Sequence, residues 1–198
     1  MPRLAEETKQ ERRRQLVDAA WRCVTSQPFQ SLTVDDICAE AGVSKGAFYV
    51  YFEEKQDLLL ALLDDESEGF EIILDDLGAS RAQGADRLRS ITRAMLEQGK
   101  DPARRQIRSD LWSEMSSDPR VRERFAEAVA RRRLALRSWI EEIVAAGELD
   151  DIPANALASI LVALGDGLML HAGLDPSGFR WANVERALDA LLVGIGPR

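Results

Sequence analysis

The stretch AGVSKGAFYVYF, residues 41–52, holds the groups best suited to chemistry. Lys45 offers an ammonium, and Tyr49 and Tyr51 offer phenolic hydroxyls; both kinds of donor suit phosphate oxygens. Phe48 and Phe52 stand four apart, so on a helix they share one face and can be buried, while Lys45, Tyr49 and Tyr51 project elsewhere. Gly46 and Ala47 are small enough for the backbone to approach a groove closely, and the Ala47 methyl suits a thymine methyl. Elsewhere reactive chemistry is sparse. The chain has one histidine, His171, and two cysteines, Cys23 and Cys38. Both cysteines sit among apolar residues at helical spacing and read as reduced packing residues. No His/Cys/carboxylate group has metal-site spacing, no nucleophile has a placed base, and no glycine loop cradles phosphate. No metal, cofactor or enzymatic activity is therefore expected.

The elements that must position these residues are helical. Leu16, Ala19, Ala20, Cys23 and Val24 form one buried stripe on a first helix spanning about residues 6–26. Its start is basic (Lys9, Arg12, Arg13, Arg14), a run that serves either as a solvated face or as a phosphate contact. Thr33 followed by Asp36 resembles a capping box opening a second helix, whose inward face is Val34, Ile37, Cys38 and Ala41. Gly42 stands where a left-handed residue ends that helix, because glycine alone takes this conformation without steric cost. Val43 plugs the gap between helices, and Ser44 caps the third. A short helix, a tight glycine turn and another short helix make a helix-turn-helix pattern, whose second member enters the major groove of DNA. A plain helical hairpin shares that periodicity; the lysine and tyrosines favour DNA.

Residues 33–63, TVDDICAEAGVSKGAFYVYFEEKQDLLLALL, are similar to the signature of the tetracycline-repressor (TetR-type) family of bacterial transcription regulators. With the first helix, the resemblance covers about residues 8–63. It implies a three-helix DNA-binding domain, a helical ligand-binding domain and a homodimer. It makes Thr33 a backbone-phosphate contact and sets Ser44, Lys45, Gly46 and Ala47 where the recognition helix meets the groove. Tyr49 and Tyr51 fall at phosphate-binding aromatics, and Lys55 at a lysine aimed at phosphate. Val50 departs from the polar or aromatic residue of relatives, and Ala47 cannot hydrogen-bond a base. Base-edge readout is accordingly thin, leaving more to Lys45, apolar contacts and DNA shape. GELDDIPANALASILVALGDGLMLHAGLDP, residues 147–176, resembles the C-terminal half of betaine-type repressors.

Composition fits this reading. The chain has 198 residues, 45% hydrophobic and 30% charged, with net charge −8, which disfavours a general nucleic-acid or membrane-surface binder. Residues 1–55 carry eight basic and nine acidic residues, net −1, leaving −7 for the remainder. A local basic surface is thus permitted. The N-terminus lacks a signal-peptide core and the most apolar segment, 154–174, reads as a buried helix, so a cytoplasmic protein without membrane attachment is expected.

The fold class is all-α with about nine helices: a helix-turn-helix domain over 1–53 and a helical ligand-binding and dimerisation domain over 54–198. Leu58, Leu59, Leu62 and Leu63 open a long fourth helix reaching about residue 77. A loop at 78–84 follows, with helices near 85–100, 102–116, 119–146, 153–173 and 181–195. The last two helices are apolar enough to form a four-helix dimer interface with their symmetry mates. That interface would use Leu161, Leu164, Leu168, Val184, Leu188, Leu191, Leu192 and Ile195; an ordinary intramolecular core is the alternative. Candidate pocket residues are Met95, Ile107, Leu111, Trp112, Met115, Phe125, Trp139 and Ile143, with Asp110, Asp166 and His171 as polar anchors. The same stripe also describes plain core. The leading function is a ligand-responsive repressor that binds a near-palindromic operator in double-stranded DNA as a homodimer and is released by a small-molecule effector. A helical protein-interaction module with an idle helix-turn-helix is the runner-up, and an all-helical enzyme comes third.

Overall fold

A computed structural model describes residues 2–78, 85–149 and 152–193. Most of the expected 78–84 loop, and Ile195, lie outside the described residues. Those described form nine α-helices and no strand: α1 Pro2–Cys23, α2 Val34–Ala41, α3 Lys45–Tyr51, α4 Lys55–Gly78, α5 Ala85–Lys100, α6 Pro102–Glu114, α7 Pro119–Ala145, α8 Ala154–Leu174 and α9 Trp181–Val193. A 3₁₀ turn, Phe29–Ser31, joins α1 to α2. Caps set several boundaries. Asp101 and Asp118 accept the amides of Ala103 and Arg120, with a proline in the first turn of α6 and of α7.

Two apolar cores hold the molecule. The first gathers Leu16, Ala20, Ile37, Phe48, Phe52, Leu58 and Leu62 with Ile107, Leu111, Val121 and Phe125. It joins α1–α3 to the start of α4, to the length of α6 and to the start of α7, and so runs across residues 53 and 54. The second core unites Phe70, Leu74, Leu88, Ile91, Leu136, Ile140, Ile143, Leu161 and Leu192. Between them lies a layer of charge. On α4, Glu66 falls between Leu63 of the first core and Phe70 of the second; on α7, Arg132 falls between Ala128 and Leu136. Arg108 of α6 and Asp166 of α8 complete the layer.

The helix α8 has the length and apolar composition to span a bilayer. Its single acid, however, is paired with two arginines, and the helix packs against α5, α6 and α7. Asp166 is 9% exposed, so the charged face of α8 points into the protein.

Candidate nucleic-acid interface and interior cavity

Local bonding makes the α2–α3 unit rigid. The Thr33 hydroxyl accepts the Asp36 amide at 3.1 Å, while the Asp36 carboxylate accepts the Thr33 amide at 2.8 Å. The Thr33 hydroxyl also donates to that carboxylate at 2.7 Å, and this bond first, then the one from the Thr33 amide, holds the Asp36 carboxyl below its ordinary range. Gly42 takes φ +67°, and the Val43 amide reaches back to the Cys38 carbonyl at 3.0 Å. The Ser44 hydroxyl then accepts the Ala47 amide at 3.2 Å and starts α3.

On α3 and at its C-cap, Phe48 and Phe52 are 0% and 3% exposed, whereas Tyr49 is 51% exposed, its ring edge-on to Phe48. Lys45 stands in solvent with its ammonium 2.9 Å from Asp35, which raises its pKa. Thr33, Ser44 and Gly46 are exposed, like Lys45 and Tyr49, and Ala47 is half-exposed.

Two expectations need correction. Tyr51 does not project freely; it leans on the first core and borders a surface groove with Arg12, Val43 and Ala47. Lys55 turns inward. Its ammonium donates to the carbonyls of Phe29, Gln30 and Leu32 at 3.1, 2.9 and 2.9 Å, using all three N–H groups to close the 3₁₀ turn. Burial accordingly lowers its pKa. The basic run of α1 is also engaged in part, with Arg14 2.7 Å from Asp65 and Arg13 over the Phe52 ring.

The second site is an interior cavity of about 30 Å³. Of the expected pocket residues, Met95 and Asp166 line it. Ile107, Leu111, Phe125 and the half-buried Met115 belong to the first core, and Trp139 and Ile143 to the second, so they are packing residues. Trp112 is 44% exposed and His171 is on the surface; neither reaches the interior. Asp110 is a strut: its carboxylate accepts the Phe29 amide at 2.9 Å across the α6–3₁₀ contact.

Residue-type reasoning missed Glu66, Arg108 and Arg132, which line the cavity with Asp166. For Glu66 and Arg132 the signal was a charge flanked by apolar residues three and four positions away, whereas Arg108 follows Arg104 and Arg105 and gave none. Arg108 lies 2.7 Å from Glu66 and 3.3 Å from Asp166, and Arg132 lies 3.3 Å from the same Asp166 oxygen. Burial acts to discharge Arg108, but the two carboxylates outweigh it and hold its pKa above the ordinary value. For Arg132 burial wins, aided by the positive charge of Arg108, and its pKa is lowered. Each buried donor left without an acceptor costs about 1–3 kcal/mol.

On the expected dimer helices, Leu161 and Leu192 are 4% and 5% exposed and face the subunit's own core, because α8 and α9 turn those positions toward α4, α5 and α7. Leu191 is 68% exposed, as is Ile160 at 61%, while Leu164, Leu168, Val184 and Leu188 are half-buried.

Comparison with known proteins agrees with this architecture. Residues 16–62 match the family model of bacterial regulatory proteins of the tetR family, and residues 84–197 match that of the C-terminal part of BetI-type transcriptional repressors. The chain is 28% identical over 179 residues to the HTH-type transcriptional repressor Rv1474c of Mycobacterium tuberculosis, covering 89% of this chain and 91% of that one. It is 25% identical to the repressor AcnR of Corynebacterium diphtheriae, over 90% of this chain and 88% of that one. Among solved structures, a TetR regulator from Haloarcula marismortui superposes with TM-score 0.82 at 19% identity, covering 95% of this chain and all of that one, 100%. A regulator from Saccharomonospora viridis, crystallised with choline, gives 0.79 at 24% identity over 96% and 100%. The chain belongs to the TetR family of bacterial transcription regulators, with a C-terminal part of the BetI repressor type.

Proposed function

We propose that the protein represses transcription as a homodimer that sets α3 of each subunit in successive major grooves of a near-palindromic operator and lets go when a small molecule enters the interior cavity. The observation that carries this reading is α3 itself: Phe48 and Phe52 are sealed while Tyr49 and Lys45 stand in solvent. Thr33, Ser44, Lys45 and Tyr49 meet phosphates, Gly46 and Ala47 face the groove, and Tyr51 contributes from the rim. Phosphates displace Asp35 from Lys45. Lys55 serves by closing the 3₁₀ turn beneath them. Residues 1–53 form the DNA-binding unit and 54–198 the effector and dimerisation unit, welded through the first core. Subunits pair through Ile160, Leu164, Leu168, Val184, Leu188 and Leu191. The protein works in the cytoplasm, where its operator is.

Coupling runs along α6. Arg108 borders the cavity, and Asp110, two residues on, holds the Phe29 amide at 2.9 Å. A turn of α6 that accommodates an effector therefore pulls on the 3₁₀ turn and shifts α2 and α3. A graded response needs about 1–3 kcal/mol of coupling, and near-complete switching about 5.5 kcal/mol. Capture of genomic fragments on the purified protein, sequenced with and without candidate effectors, tests the proposal. A shared near-palindrome is the expected outcome. Capture without sequence enrichment would refute it.

A further inference from the structure

The charged layer between the two cores has more donors than acceptors. Arg108 is 2% exposed, yet its Nε and Nη1 make no hydrogen bond; Nε and Nη2 of Arg132 are equally bare. On the acceptor side only the Glu66 oxygens are unsatisfied, and one of them is already 2.7 Å from Arg108, out of line for a hydrogen bond. A single Asp166 oxygen, 3.3 Å from each guanidinium, is shared by both arginines. Each guanidinium carries five N–H donors. The imbalance is largest at Arg132, which among the described residues has no other carboxylate within ion-pair distance.

We propose, on the reading that the protein is an effector-responsive regulator, that this cavity takes a small organic carboxylate, held by Arg132 and Arg108, with its apolar part against Met95. A carboxylate supplies acceptors in the plane of a guanidinium fork, the geometry that satisfies paired N–H groups. A cation would meet two guanidiniums, and the Asp166 carboxylate is already shared by both of them.

The apolar end is shaped by Met95. Its methyl lies 3.0 Å from the position a Cβ on Gly165 would take, so it rests directly over that glycine. Beyond it is a second void of about 10 Å³, bounded by Leu164, Leu168 and Leu188. The two voids share Met95 and Gly165. The polar void alone has room for about one water, but methionine is unbranched and turns readily. Swinging Met95 aside joins the voids into one slot, charged at one end and apolar at the other. A ligand filling it would press on residues of the proposed dimer face.

Calorimetry on the full chain without DNA tests this, using hexanoate as probe, hexanamide as its neutral match and choline as the cationic control. Saturable hexanoate binding is expected, with hexanamide at least tenfold weaker and choline silent. Arg132→Met should weaken hexanoate at least tenfold. Glu66→Gln should tighten it, because Arg108 is then released toward the ligand. A merely structural role for Glu66 would weaken it instead, so its sign decides even if Arg132→Met fails to fold. No hexanoate binding, equal binding of acid and amide, unchanged affinity in Arg132→Met, weakening by Glu66→Gln, or binding of choline alone would each overturn the proposal. Operator retention by the same ligand-free protein is scored separately. Its loss sinks the regulator reading, whereas absent acid binding in a DNA-retaining protein sinks only this inference.

Discussion

In the α2–α3 unit, hydroxyls and an ammonium stand in solvent above two sealed phenylalanines; in the α4–α6–α7–α8 layer, Glu66, Arg108 and Asp166 are buried, Arg132 is half-buried, and apolar cores lie on either side. The first arrangement costs little to maintain, since water satisfies every group until a duplex arrives. The second is held at a deficit, with buried donors unpaired while the cavity is small. A surface built the first way is always ready. An interior built the second way gains stability when something of matching charge enters, and such an interior can be a switch. Their separation matters too, because α6 touches both: Arg108 belongs to the deficit and Asp110 to the 3₁₀ turn that supports the surface.

This contrast can be broken by removing one charge from each region. Arg108→Met should be the most damaging, destabilising by about 3–5 kcal/mol because it orphans buried Glu66; a urea midpoint within error of wild type would show the layer to be hydrated. Leu191→Glu, at the exposed apolar face, should weaken self-association about a hundredfold, or about 2.7 kcal/mol, as read by analytical ultracentrifugation. A variant still fully dimeric would move the interface elsewhere. Next in size, Lys45→Ala and Tyr49→Ala should each weaken operator binding about tenfold, or about 1.4 kcal/mol, without changing the melting temperature, and Lys45→Ala should flatten the salt dependence. Thr33→Ala should cost about 1 kcal/mol of stability, typical of a lost N-cap.

The last variant also carries a pH signature. The Asp36 carboxyl is held below its usual range by the Thr33 hydroxyl and amide, so folding favours the ionised form. That contribution is complete above the unfolded-chain value, about 3.9, and fades as pH falls through the lower folded value. Urea melts at neutral and strongly acidic pH should show the Thr33→Ala difference shrinking in acid. A constant difference would mean that the carboxylate bond adds nothing.

The surface region was legible in sequence because its determinants are local. Thr33 with Asp36, Gly42, Ser44 and the Phe48/Phe52 pair lie within twenty residues, and each acts over three or four positions. The interior was not legible for the converse reason. Glu66, Arg108, Arg132 and Asp166 come from four helices, and a charge on a helix reads as outward unless its neighbours on that face are known. Asp166 drew notice only because α8 is otherwise so apolar. Trp112 misled in the opposite sense: a large ring in an apolar register reads as buried, yet it is 44% exposed. Lys55 misled because the three carbonyls that capture it are set by a 3₁₀ turn more than twenty residues upstream.

The central claim, a pair of α3 helices reading one duplex, is tested most directly by hydroxyl-radical footprinting on a captured operator fragment, with wild type and Tyr49→Ala side by side. Two protected patches on one face of the DNA, about 34–36 Å apart, are expected, both fading together in the variant. One isolated patch, or a footprint that Tyr49→Ala leaves unchanged, would contradict the account.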